Sequence, residues 1–315
     1  MSRLVFSLDP VPPFRLDLTA WAIRRRPENA TDVWDGEKYE RVLAIRGKPA
    51  LVSVRQSGTV EQPRLEVTAS SARVPDVTAA LERLLGLRID LKGFYALAER
   101  SRLHELAVRF RGLKPPRFPT AWEGLVNGIA CQQLSLNVGI LLLNRLAKLC
   151  GLAHDGRYAF PRPEDVAAAD PEAVRSLGFS GAKVRALLEL GAAIAARQLD
   201  LESLAELDNE QAASQLLALR GVGRWTAEYV LLRGMGRIDV FPGDDVGARN
   251  KLARWLRLRT PLDYPGVARI TERWNPYGGL IYFHLLLDGL ERAGHLQPRS
   301  VKDDQTETGV RRRSA

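Results

Sequence analysis

Apolar and polar residues alternate over short runs in the first third of the chain, and thereafter recur every three to four positions. Alternation sends successive side chains to opposite faces of a strand, whereas the longer period puts them along one stripe of a helix. Four runs read as strands of one antiparallel sheet: Phe14–Leu18, Arg41–Ile45, Leu51–Val54 and Arg64–Thr68, the middle two flanking a Gly47-Lys48-Pro49 turn. Val77, Leu81, Leu84 and Leu85 then fall at helical spacing. Leu91–Arg111 continues as helix with a break near Ser101. A sheet covered by helices is the expected N-terminal unit. Pro115, Pro116 and Pro119 crowd the next segment, and proline lacks an amide donor and disfavours helix before itself. The domain boundary is placed there.

Beyond Pro119 the pattern is helical almost throughout. Ser135 stands where it can cap a helix predicted to bury Val138, Leu141, Leu142, Leu146 and Leu149 and to end at Gly151. Asp170-Pro171 joins a cap to a proline at the first helical position, and Ser180 opens a helix with Val184, Leu187, Leu188 and Ile194 inward. Asp208 with Gln211 three residues on reads as a capping box. The expected class is therefore α+β: residues 1–116 as a mixed sheet and helix domain, 117–298 as a mostly helical body, and 299–315 as a disordered basic tail. The last helices of the body are free to pack back on the N-terminal side.

Composition narrows the partners. The 315 residues carry 46 Lys and Arg against 37 Asp and Glu, a formal charge of +9, which makes nucleic acid the first partner to test. The tail contributes little of that surplus, since Asp303, Asp304 and Glu307 oppose its five basic residues. Cys131 and Cys150 stand nineteen positions apart with no CxxC partner, so a disulfide framework, structural zinc and a four-thiolate iron–sulfur cluster are all unsupported. No export signal and no membrane span is read, and a cytoplasmic location is expected. His104, His154, His284 and His295 are too scattered for a metal site. Arg24-Arg25-Arg26 and Arg311-Arg312-Arg313 read as solvated charge runs.

The chemistry concentrates after Gln211. Two helical patterns there are separated only by Arg220-Gly221-Val222-Gly223-Arg224, and two glycines around one small residue let backbone amides approach an anion with no Cβ in the way. A phosphate suits such a turn, and flanking arginines favour a contact that ignores base sequence. Val240-Phe241-Pro242-Gly243-Asp244-Asp245 follows, placing Asp245 twenty residues after Trp225. This hairpin and loop resemble those of the helix-hairpin-helix (HhH-GPD) DNA glycosylase superfamily. Further matches are Gly128–Ser135, Phe160–Asp165 leading to Leu177-Gly178, and Glu272–Tyr277 before His284. Together they are similar to the DNA-3-methyladenine glycosylase II branch, over residues from about Phe14 to Leu290.

The resemblance implies a base excision repair enzyme that flips alkylated bases, of the 3-methyladenine and 7-methylguanine type, out of double-stranded DNA and hydrolyses them off. It implies Asp245 as the catalytic carboxylate, with Asp244 capping the following helix unless the two acids exchange roles. One carboxylate suffices because an N-alkylated purine is already cationic and leaves without a strong general acid. Trp225 and Tyr229, one helical turn apart, fall on the family's pocket aromatics, where rings attract a cationic base. Leu286 and Val246 occupy family positions that are aromatic elsewhere. Trp225 also stands where strand-cleaving relatives carry a lysine, and without an amine there is no Schiff base. A monofunctional hydrolase is expected. Gln132 and Gln133 fall on the positions that fill the vacated stack. Gly221, Val222, Gly223, Arg224 and Thr226 are the implied DNA-binding set, and the carbonyls of Leu217, Leu219 and Val222 an implied Na+ or K+ site. No cofactor is required, and a monomer is expected. The alternatives are excision of oxidised or deaminated bases, and a non-catalytic protein that binds damaged DNA through the hairpin.

Overall fold

A computed structural model of the chain describes residues 3–70 and 72–296, so the predicted tail lies outside the described residues. Five antiparallel strands form one sheet: β1 (Arg3–Leu8), β2 (Val33–Trp34), β3 (Lys38–Ile45), β4 (Lys48–Gly58) and β5 (Pro63–Ser70), in the order β1-β5-β4-β3-β2. Strict alternation in β5 buries Leu65, Val67 and Ala69, and its register sets Val67 opposite Val54. Two helices cover that face, α1 (Leu16–Arg24) and α2 (Val74–Leu85), through Leu16, Ala20, Ile23, Leu81 and Leu84.

Three of the four predicted strands are present. Phe14–Leu18 is instead the entry to α1. Its five alternating residues are the start of a longer helical pattern in which Leu16, Ala20 and Ile23 face the sheet while Leu18 and Ala22 face the C-terminal helices. A helix buried on two sides lacks a single stripe over so short a window. β1 and the short β2 complete the sheet at its two edges.

Twelve further α-helices follow among the described residues. They are α3 (Lys92–Glu99), α4 (His104–Arg109), α5 (Ala121–Cys131), α6 (Leu136–Cys150), α7 (Pro163–Ala167), α8 (Pro171–Ser176), α9 (Gly181–Ala195), α10 (Asn209–Leu217), α11 (Arg224–Arg233), α12 (Val246–Leu256), α13 (Tyr264–Thr271) and α14 (Gly278–Arg292). The fold is α+β, with a small sheet beside a large helical body. One core lies among α5, α6 and α9–α11. A second joins Leu91–Leu113 to the helices from α12 onward, so the segment before the proline cluster packs with the chain's C-terminal helices. No helix among the described residues is long and apolar enough to cross a membrane.

The predicted caps at Ser135, Asp170, Ser180 and Asp208 all accept the hydrogen bonds expected of them. The buried stripe of α6 differs. Val138, Leu141 and Leu149 are 42%, 45% and 44% exposed, and Ile140, Leu142, Leu143 and Leu146 face inward. A leucine-rich helix offers two stripes, and Gly139 decides between them: a Cβ there would meet Cys131 Sγ at 2.5 Å, so this face sits hard against α5.

Candidate active site

The hairpin joins α10 to α11. Gly221 turns at φ +79°, a conformation that disfavours any side chain, and a Cβ on Gly223 would meet nothing within 4 Å. The start of α11 is therefore open to an approaching group. Gln132 braces the turn from α5, its Nε2 donating to the Gly221 carbonyl at 2.7 Å and to Thr226 Oγ1 at 2.8 Å. Thr226 is correspondingly buried, which leaves its side chain facing the protein. Gln133 and Leu134 are exposed at the tip between α5 and α6, with Gln133 at φ +56°. Of the three carbonyls expected to face a cation, that of Leu219 accepts the Val222 amide at 3.1 Å. A carbonyl oxygen has a second lone pair, so this bond does not exclude a cation.

Twenty residues on, Asp245 is the cap of α12: its Oδ1 accepts the Ala248 amide at 2.8 Å. That corrects the expectation that Asp244 caps this helix. Asp244 instead pairs with Arg224, Oδ2 to Nε 2.6 Å, because the hairpin brings the guanidinium alongside the loop. The other oxygen of Asp245 faces side chains. Tyr282 donates its hydroxyl to Oδ2 at 3.1 Å, and Trp225 donates Nε1 to the same oxygen at 3.4 Å. Three donors from α11, α12 and α14 thus fix one carboxylate. Burial and the neighbouring Asp245 push the Tyr282 hydroxyl well above its ordinary pKa, so it stays a donor at neutral pH.

The loop carrying both acids is held by its own glycine. A Cβ on Gly243 would come within 2.7 Å of two Tyr264 ring carbons. Tyr264 donates to Glu228 Oε1 at 2.6 Å, the Gly243 amide donates to Glu228 Oε2 at 2.9 Å, and Arg224 lies 4.0 Å over the Tyr264 ring centre. Burial raises the pKa of Glu228, and burial together with Glu228 pushes Tyr264 up to about 12.

Around Asp245 opens a cleft of about 1070 Å³, whose lining includes Gln132, Gln133, Trp225, Tyr229, Tyr282 and Leu286. Trp225 and Tyr229 lie 5.4 Å apart between ring centres, a spacing that offers flat apolar walls. Leu286 and Val246 supply no ring, as the sequence indicated; Tyr282 does, from one helical turn before Leu286. Lys251 also lines the cleft, and desolvation lowers its pKa while Asp245 pulls it back up. The arginine run is not a solvated face. Arg25 is 4% exposed and bonded to Tyr229, Arg24 donates to the carbonyls of Trp34 and Pro27, and Arg26 to Asn137. Likewise Arg220 pairs with Glu189 at 3.0 Å. His284 is buried within α14, away from the cleft lining. Tyr282, Arg25 and Lys251 escaped the sequence reading: only folding brings them to residues far away in the chain.

A helix start left open at Gly223, a carboxylate held by three donors and an aromatic cleft of about 1070 Å³ are the parts a base-excising DNA glycosylase needs. Residues 126–276 match the family model described as HhH-GPD superfamily base excision DNA repair protein. DNA-3-methyladenine glycosylase 2 of Escherichia coli (strain K12) is 28% identical over 285 residues, which span 89% of this chain and 96% of that protein. Among solved structures, a 3-methyladenine DNA glycosylase from Archaeoglobus fulgidus matches with a TM-score of 0.79 at 25% identity, over 93% of this chain and 100% of that one. The Schizosaccharomyces pombe 3-methyladenine DNA glycosylase in complex with abasic DNA matches at 0.55 and 25% identity, over 65% of this chain and 98% of that one. The family match thus spans just under half of the chain, and with the full-length similarity to curated and solved 3-methyladenine glycosylases it supports a DNA glycosylase of base excision repair.

Proposed function

We propose that the enzyme is a monofunctional hydrolase that removes N-alkylated purines from duplex DNA and leaves an abasic site. The observation that carries this reading is the fixed geometry of Asp245 at the N–H edge of the Trp225 ring, with Tyr229 5.4 Å from that ring and no amine at position 225. The hairpin amides at Gly221–Arg224 would hold a backbone phosphate, and the Leu217, Leu219 and Val222 carbonyls would hold Na+ or K+ beside it. Extrusion of the nucleotide costs a few kcal/mol, less where damage has weakened pairing. Gln133 and Leu134, exposed at their tip, would occupy the gap.

In the cleft, Trp225 and Tyr229 stack the base. Its bond to C1′ lengthens, and the Asp245 carboxylate stabilises the positive charge that grows on the sugar. Water then adds to C1′ and gives its proton to Asp245. The departing electron pair stays with the base, which neutralises the charge that alkylation gave it. Names of relatives at 25–28% identity support alkylated-base excision. The test is release of 3-methyladenine and 7-methylguanine from methylated duplex DNA, with borohydride present in a parallel reaction. Free base without a trapped covalent adduct is expected; a trapped adduct would refute the hydrolytic mechanism.

A further inference from the structure

A lysine outside the cleft lining holds the tip between α5 and α6. Only Gln132, Gln133 and Leu134 separate the end of α5 from Ser135, the cap of α6, and Gln133 takes φ +56°, a left-handed conformation that a residue with a Cβ adopts at a cost. The turn's own amides hold it weakly: Gln132 donates to the Ile129 carbonyl and Leu134 to that of Cys131, each at 3.4 Å. The two carbonyls interleaved with these go to Lys183 of α9. Its Nζ donates to Ala130 at 3.0 Å and to Gln132 at 2.8 Å.

The place of this lysine in the sequence does nothing for its own helix. Ser180 caps α9 and accepts the Lys183 amide, so the side chain springs from the first turn, where the helix dipole disfavours a cation. α5 carries no basic residue in its last turn, where a cation is favoured and the final carbonyls need donors. Lys183 supplies both from the neighbouring helix. Among the described residues it forms no ion pair, so no carboxylate competes for the ammonium.

The same junction reaches the hairpin. Gln132, whose carbonyl Lys183 holds, donates from its side chain to the Gly221 carbonyl at 2.7 Å and to Thr226 Oγ1 at 2.8 Å. One turn further along α9, Ala186 lies so close that a Cβ on Gly221 would meet its Cβ at 3.1 Å. α9 thus backs the exposed tip and the hairpin together. Prising a nucleotide from the duplex is uphill, and a tip that has to be ordered as it enters the stack gives back part of what its insertion gains.

We infer that Lys183 is a positioning residue for nucleotide extrusion: by fastening the end of α5 to α9, its ammonium holds Gln133 and Leu134 in the conformation that enters the base stack. The inference rests on the glycosylase reading of the cleft and of this tip.

A lesion that is already unpaired needs less help to leave the stack, so two duplexes isolate the effect. One carries 7-methylguanine opposite cytosine, the other 7-methylguanine opposite a tetrahydrofuran residue that offers no pairing. Single-turnover release is compared for the wild type, Lys183→Met and Lys183→Arg. Thermal melts identify the variants that fold, and Lys183→Gln serves if Lys183→Met does not. Lys183→Met should lose at least about tenfold on the paired lesion and less than about threefold on the unpaired one, while Lys183→Arg, which keeps charge and donors, stays within about threefold of wild type on both. In a Gln133→Ala, Leu134→Ala background, whose trimmed tip has nothing left to position, Lys183→Met should add less than about threefold on the paired lesion. Extrusion is also read directly: at saturating protein, 2-aminopurine beside a tetrahydrofuran site should brighten no more than about half as far with Lys183→Met as with wild type. Equal losses on the two duplexes, an undiminished rate on the paired lesion, or a full penalty in the trimmed-tip background overturns the proposal. So does a loss in folded Lys183→Arg as large as in Lys183→Met, or an equal rise in 2-aminopurine fluorescence. Wild-type enzyme that releases base from neither duplex would instead sink the glycosylase reading itself, and the 2-aminopurine signal would still decide the role of Lys183.

Discussion

Replacing Gly243 with alanine tests whether the loop carrying the acids is held in place by contact with Tyr264. The added methyl would lie 2.7 Å from two carbons of that ring, well inside van der Waals contact. Tyr264 has little freedom to yield, with its hydroxyl 2.6 Å from Glu228 and Arg224 over its face at 4.0 Å. Overpacking of this kind costs about 1–3 kcal/mol. Part of the strain is relieved by moving the loop, and Asp245 stands two residues beyond the collision. Displacement of a reacting group by about 1 Å can lower a rate by about a hundredfold. Gly243→Ala is therefore expected to melt several degrees lower and to release base about 10- to 100-fold more slowly in single turnover, with DNA affinity retained. Truncating the ring removes the clash, so in a Tyr264→Ala background the same substitution should cost much less in both measures. A Gly243→Ala enzyme with wild-type rate and melting temperature would refute the reasoning. So would a penalty of equal size in the two backgrounds.

Two further outcomes follow from charges away from the reacting bond. His284 is buried in α14 with Nδ1 against the Leu280 carbonyl at 2.9 Å, and burial lowers its pKa to about 4. The unfolded chain takes up that proton near pH 6.5 and the folded chain does not, so stability present above pH 6.5 falls by up to about 3 kcal/mol as pH drops toward 4. Urea titrations between pH 7 and 4.5 should show a shallower decline for His284→Leu, and a decline equal to wild type would contradict this. Arg224 is exposed at the hairpin, and its pair with Asp244 adds little to stability. Arg224→Ala should bind damaged and undamaged duplexes equally more weakly, with the slope of log affinity against log salt reduced by about 0.9 for one lost phosphate contact. A loss confined to lesion-bearing DNA would place Arg224 in base recognition instead.

What the sequence revealed and what it hid divide by distance along the chain. Ser135, Asp170, Ser180 and Asp208 were readable as caps because a cap and the amide it serves lie within three residues. The hairpin turn is legible from its two glycines between helical patterns, whereas Asp245 is singled out only by the resemblance to the HhH-GPD loop. Phe14–Leu18 misled because five residues cannot separate alternation from a helix buried on two faces. In α6 the leucines offered two stripes, and only the contact between Gly139 and Cys131 selects one. The charged lining of the cleft was hidden for a further reason. Arg25 meets Tyr229 across 204 positions and Tyr282 meets Asp245 across 37, and an arginine run carries no local mark that its middle member is buried.

The central claim is that one carboxylate, held by Ala248, Tyr282 and Trp225, performs the chemistry while its neighbour serves the hairpin. The most direct test is single-turnover release of 7-methylguanine by Asp245→Asn and by Asp244→Asn, each with its affinity for the same duplex measured alongside. Losing one preorganised charge at the reacting centre lowers a rate by about 10²–10³ or more. Asp245→Asn should fall at least that far while still binding DNA, and Asp244→Asn should remain within about tenfold of wild type and bind DNA no less tightly, since it frees Arg224 for a phosphate. Undiminished release by Asp245→Asn, or inactivity confined to Asp244→Asn, would contradict the assignment.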